Sequence, residues 1–88
     1  MVQDKIELIV VFKKEIGLES AQAILGNAGV NYRKGMDSSR GKLYFYKTGP
    51  KFILTFETEQ QKETIATGFE KLNEVYEVYT PDWDKCKD

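Results

Sequence analysis

Residues 5–14 read KIELIVVFKK, and this stretch decides the fold. Its side chains alternate between two faces, one with Ile6, Leu8, Val10 and Phe12 and the other with Glu7, Ile9, Val11 and Lys13. This alternation and the β-branched residues within it predict a β-strand. Because both faces are apolar in the middle of the run, we expect the strand to lie at the centre of a sheet.

Two helices are predicted, one in each half of the chain. Apolar residues recur at helical spacing from Leu18 to Ala28, and Gly29 suits a left-handed helix cap. The second helix begins with Thr58 and Gln61 in a capping box, where each side chain satisfies a free backbone N–H. Its buried stripe contains Ile65, Phe69 and Leu72, and Asn73 is expected to close it.

The remaining segments have strand patterns. GKLYFYKTGPKFILTFET (41–58) predicts a hairpin, two strands joined by a turn at Thr48-Gly49-Pro50. VYEVYT (75–80) predicts a last strand, which Pro81 ends because proline has no N–H to donate. The connection at 30–41 is long, so VNYRK (30–34) is open to two interpretations, an extra short strand or a loop.

The order of these elements indicates the fold class. Strand, helix, strand, strand, helix, strand is a ferredoxin-like βαββαβ arrangement of the α+β class. Right-handed connections place both helices on one face of an antiparallel sheet, with the first and third strands central. Residues 1–88 are expected to form a single domain with a polar C-terminal tail from about residue 81.

The sheet face away from the helices is predicted to be an interaction surface. It would carry aliphatic and tyrosine side chains where a solvated face carries polar ones, and an exposed apolar patch marks a binding site. The last strand would add one of two registers, either Tyr76 and Val78 or Val75, Glu77 and Tyr79. Alternatively, the tail folds back with Trp83 as a lid. The predicted protein-binding residues are Ile9, Val11, Tyr44, Tyr46, Ile53, Tyr79, Pro81 and Trp83.

Charge is distributed unevenly along a chain of net charge −1. Residues 30–51 contain six basic residues and one acidic residue, whereas acids predominate elsewhere. This basic segment is either a solvated charged surface or a site for an anion or an acidic partner. The candidate anion-binding residues are Arg33, Lys34, Arg40 and Lys42.

The residue content argues against an enzyme. The chain has no histidine, its single cysteine, Cys86, lies in the tail, and no glycine-rich phosphate-binding motif occurs. We therefore expect neither catalytic residues nor a metal or other cofactor. The longest apolar run, Leu8 to Phe12, is too short to span a membrane, and a cytoplasmic location is expected.

Two short stretches and the order of elements resemble the propeptides of subtilisin-type proteases and their free-standing inhibitor relatives. The stretches are IELIVVFKK (6–14) and FEKLNEVYEVYTPD (69–82). The resemblance implies that the open sheet face packs on the protease and that the segment after the last strand enters the active-site cleft. Tyr79, Thr80, Pro81 and Asp82 would begin that segment, with Trp83 in or beside the cleft.

A second resemblance is to the RNA-recognition motif, through KFILTFETEQQKETIATGFEKLN (51–73) and the basic hairpin before it. It implies that Tyr44 and Tyr46 stack on bases while Lys42 and Lys47 neutralise phosphates. However, the outward positions of the central strands are aliphatic, where that family has aromatic residues.

The predicted function is therefore a small non-catalytic protein-interaction domain that uses its open sheet face and C-terminal tail. Its most concrete form is a propeptide-like protease inhibitor or folding chaperone. One alternative is a homodimeric domain with a regulatory or ligand-binding role, since two-fold dimers are the commonest assemblies. The other is a nucleic-acid binder.

Overall fold

The computed structural model describes residues 6–35, 43 and 46–81, and it has the predicted α+β ferredoxin-like fold. Four antiparallel strands form one sheet in the order β2-β3-β1-β4, so β1 and β3 are central. The elements are β1 (Ile6–Lys13), α1 (Leu18–Ala28), β2 (Asn31–Lys34), β3 (Thr48–Phe56), α2 (Glu59–Glu70) and β4 (Val75–Tyr79).

The second strand of the sheet is formed by 31–34, and the predicted hairpin at 41–58 is wrong. Leu43, Tyr46 and Lys47 are helical, and β3 begins at Thr48, so Gly49 and Pro50 lie inside a strand and not in a turn. Both edges of β3 are already paired, one with β1 and the other with all four residues of β2. The strand propensity of Leu43, Tyr46 and Lys47 is thus overridden by the tertiary pairing.

Local sequence signals set the helix ends. Gly29 has φ 71° and caps α1 in the left-handed region, as predicted. At α2, the Thr58 hydroxyl accepts a hydrogen bond from the Gln61 N–H at 3.1 Å. The Gln61 amide oxygen accepts one from the Glu57 N–H at 3.2 Å, so the predicted capping box is present in a slightly shifted form. The helix closes at Lys71, two residues before Asn73.

The main core lies between the sheet and the two helices. Phe12 and Phe52 meet edge to face at its centre, with ring centroids 6.0 Å apart. Tyr32 of β2 packs edge to face on Phe52 at 5.5 Å, which places the tyrosine on the helix side of the sheet. The buried members of this core are Leu8, Val10, Phe12, Ala21, Leu25, Phe52, Leu54, Phe69 and Val75.

Two β-bulges adjust which side chains face this core. Between the Val11–Lys51 and Lys13–Thr48 pairs, β3 has one residue more than β1, and the bulge contains Gly49 and Pro50. A bulge tolerates proline, because the missing N–H is not needed for the ladder there.

The second bulge lies in β4, where Tyr76 is the extra residue between the Val11–Glu77 and Phe12–Val75 pairs. Val75 and Val78 consequently both contact the main core, although they are three residues apart. Glu77 and Tyr79 lie opposite Val11 and Ile9 on the other face. Neither uninterrupted register considered for the last strand is therefore correct.

Candidate interaction surfaces

The sheet face away from the helices carries a second apolar cluster, here called the back cluster, formed by Ile9, Val11 and Ile53. The predicted placement of these residues on this face is correct, but the predicted exposure is wrong. Ile9 and Val11 have no exposed surface, and Ile53 is 6% exposed. The back cluster is covered within the chain itself, so a partner cannot reach it directly.

Tyr79 and Gly35 both lie against the back cluster. Tyr79 packs against the back cluster from β4. On the other side, the backbone of Gly35 lies so close to Ile53 that a Cβ atom on Gly35 would be 2.6 Å from the Ile53 Cδ1. These contacts contribute to the enclosure of this face, which strand alternation does not predict, because alternation determines the direction of a side chain and not what packs over it.

An ion pair crosses the same face. Arg33 of β2 lies opposite Ile53, and its guanidinium donates a hydrogen bond to the Glu7 carboxylate at 3.0 Å. The Glu7 side chain is only 8% exposed, whereas that of Arg33 is 55% exposed. Among the candidate anion-binding residues, Arg33 therefore already has an anionic partner, and Lys34 is exposed on the edge strand. Arg40 and Lys42 lie outside the described residues.

Among the described residues, the most exposed large apolar side chains come from the segment before β3. Leu43 is 71% exposed and Tyr46 is 66% exposed, three residues apart in helical conformation. Residues three apart on a helix lie on neighbouring positions of one side. Tyr46 thus belongs to the accessible surface, as predicted, although it is on a helix and not on the sheet. Pro81 is half-buried, and Tyr44 and Trp83 lie outside the described residues.

A groove of about 480 Å³ opens at the end of the sheet where β2 finishes and β3 starts. The described residues that line it are Leu18, Lys34, Gly35, Thr48, Gly49, Pro50 and Lys51. The Lys51 amino group donates a hydrogen bond to the Gly49 carbonyl oxygen at 3.0 Å, and burial lowers the pKa of Lys51 below its usual value.

Sequence reasoning missed this groove, because its lining comes from three stretches that only the fold brings together. Lys51 and Leu18 are far apart in the chain and belong to different elements. The one available signal was the density of basic residues at 30–51, which includes Lys34 and Lys51. That signal indicated basic residues in this part of the chain but not the position of a groove.

Two other kinds of site were sought in the described part of the chain. Residues 6–35, 43 and 46–81 contain no group of three His, Cys, Asp or Glu side chains that could hold a metal ion. Over the same ranges, no helix has both the length and the hydropathy needed to cross a bilayer.

Comparisons with protein-family models, with curated proteins and with solved structures find no significant match to this chain.

Proposed function

We propose that this chain is a small non-catalytic protein-interaction domain whose contact surface is centred on Leu43 and Tyr46. The observation that carries the proposal is the exposure of these two side chains, 71% and 66%. Isolated apolar residues are normal on a protein surface, but two on one side of a helical segment form a patch that gains free energy when a partner covers it. Tyrosine is also enriched at interfaces, because it offers a large apolar area and a polar tip.

The charge near this patch supports a partner surface that is apolar with an acidic rim. Lys47 follows Tyr46 directly in the chain and is exposed. Lysines around an apolar contact add little affinity, but they accelerate and orient the approach of an acidic partner. The covered back cluster is not part of this surface.

A second copy of the chain is the first partner to test. Light scattering coupled to size-exclusion chromatography, at micromolar and higher protein concentration, compares the wild type with a Leu43→Ser/Tyr46→Ser variant. We expect the wild type to self-associate and the variant to be monomeric. Tyr76→Ser is the matched control, because Tyr76 is 49% exposed but lies on β4. A wild type that stays monomeric throughout would exclude the homodimer.

The propeptide-like inhibitor is the more specific form of the same proposal, and a role as a folding chaperone for a protease belongs with it. The order of strands and helices agrees with the layout that the resemblance implies. The start of the segment that would insert contacts α2, since the Lys62 amino group donates a hydrogen bond to the Thr80 hydroxyl at 3.4 Å. No observation favours the nucleic-acid alternative, because Tyr46 is not on the sheet and the central outward positions are buried.

A further inference from the structure

The outer edge of β2 presents backbone groups that the sheet does not use. β2 pairs only with β3 in the order of the sheet, and all four of its residues are exposed. Just beyond it, the Gly35 N–H donates a hydrogen bond to the Lys51 carbonyl oxygen at 3.4 Å. Since every second residue of an antiparallel strand faces its partner, Arg33 also bonds to β3, whereas the N–H and C=O groups of Tyr32 and Lys34 point away from the sheet. Those outward groups have no hydrogen-bond partner within the described part of the chain.

The side chains of β2 give this edge a definite chemistry. Tyr32 packs on Phe52 on the helix side and is still 38% exposed, so part of its ring is free to contact another side chain. Lys34 lies on the same side, two residues on, and has no ion-pair partner among the described residues. The charge of Arg33, on the other face, is offset by Glu7. An added strand would therefore meet an apolar ring and, two residues away, an uncompensated positive charge.

We propose that the outer edge of β2 binds an extended acidic peptide of a partner protein, which adds a fifth, antiparallel strand to the sheet. The peptide residues opposite Tyr32 and Lys34 exchange N–H···O hydrogen bonds with them, as in other complexes formed by strand addition. An apolar peptide side chain covers the Tyr32 ring, and an acidic one lies opposite Lys34. This inference is independent of the protein-binding surface at Leu43 and Tyr46.

A second copy of β2 fits this edge less well than an acidic peptide does. Two β2 strands paired with each other would place two copies of Arg33 and two of Lys34 on one four-residue ladder. Like charges on paired strands destabilise the pairing, and short, charged edge strands are a common protection against self-association. Neither the shortness nor the charge opposes an acidic partner, so the same features select for one.

The test is an amide NMR titration of the isotope-labelled full chain with the capped peptide Thr-Glu-Thr-Val-Thr. In an antiparallel arrangement its glutamate lies opposite Lys34 when its valine lies opposite Tyr32. We expect saturable shifts centred on β2 and slower hydrogen exchange at the Tyr32 and Lys34 amides. The exchange of the Arg33 amide, which already bonds to β3, should change little. A peptide with lysine in place of glutamate should bind about threefold to fivefold more weakly.

Two methylated peptides separate strand addition from other kinds of contact. N-methylation of the valine removes an N–H that would donate to Tyr32, and it should weaken binding about threefold to tenfold. N-methylation of the central threonine, whose N–H points away from β2, is the matched control and should have little effect. Equal effects of the two methyl groups would overturn the proposal, as would shifts confined to other residues or no shifts at millimolar peptide.

A charge exchange tests the side-chain part of the proposal. Lys34→Glu should reverse the preference between the glutamate and lysine peptides, whereas Lys71→Glu, at the end of α2, should leave the preference unchanged. An unchanged preference in the Lys34→Glu variant would refute the acidic partner. If the β2 amides shift with protein concentration in the absence of peptide, the occupant is a second copy and the proposal fails. The comparison of the two methylated peptides on the wild type decides the matter even if a variant folds poorly.

Discussion

At the scale of single residues, Gly49 illustrates how one position can control the sheet. It lies in the β3 bulge, and a Cβ atom built on it would meet the backbone carbonyls of Lys13 and Phe12 in β1. A side chain at this position would collide with the main chain of Lys13, which cannot move aside without breaking the pairing of two central strands.

Gly49→Ala should therefore destabilise the protein by roughly 2–3 kcal/mol, measured by urea denaturation. Gly68→Ala is the control, because Gly68 lies within α2 and a Cβ atom there meets nothing within 4 Å. In that helix alanine is preferred to glycine, so Gly68→Ala should stabilise by about 0.5–1 kcal/mol. Similar free energies of unfolding for the two variants would contradict the close approach at Gly49.

Burial of the back cluster makes Ile9 a second residue to test. Ile9→Ala should lower the free energy of unfolding by about 2–5 kcal/mol, because it leaves a cavity at a site with no exposed surface. Leu43→Ala, at a 71% exposed position, should change it by less than about 0.5 kcal/mol. If both substitutions are equally mild, the back cluster is accessible in solution and the covered face described above is wrong.

At the scale of secondary-structure elements, the patterns that were predicted correctly are those determined by local chemistry. Alternation identified β1, and the caps at Gly29 and Thr58 identified the adjoining helix ends. The segment before β3 was mispredicted, because LYFYK alternates like a strand while the neighbouring position in the sheet is occupied by β2. Competition between two segments for one edge depends on the whole fold and cannot be read from either segment alone.

The cap of α2 gives a prediction at this scale. Thr58→Ala removes the acceptor for the Gln61 N–H and should cost about 1 kcal/mol of unfolding free energy. Thr58→Ser retains a hydroxyl in the same place and should cost much less. Thermal or urea denaturation of the three proteins distinguishes them, and an alanine variant as stable as the serine variant would show that the hydrogen bond contributes nothing.

At the scale of the whole molecule, the sequence predicted the architecture better than the surface. The two-sided apolar pattern of β1 was interpreted correctly as a central strand, yet the same pattern led to the prediction of an exposed patch at Ile9 and Val11. Both predictions follow from the alternation of side chains along the strand, which determines the face of the sheet on which each side chain lies. What covers a face depends on contacts between segments that are distant in the chain.

The inhibitor proposal is also tested at this scale. If the segment after β4 enters a protease cleft, the full chain should inhibit a subtilisin-type protease, and a form truncated after Thr80 should lose most of that inhibition. The truncated form keeps all six described elements, since β4 ends at Tyr79. Circular dichroism confirms that it is folded before the assay. Equal inhibition by both forms would rule out insertion of the tail.

The bulge at Tyr76 also bears on how the molecule avoids unwanted polymerisation. β4 is an edge strand in the order of the sheet, and unpaired backbone groups at such an edge can recruit another chain into a growing fibril. The extra residue interrupts the regular spacing of β4, so its longest regular run is the short stretch from Glu77 to Tyr79. The irregularity that turns Val75 and Val78 inward thus also makes this border a poor template for amyloid.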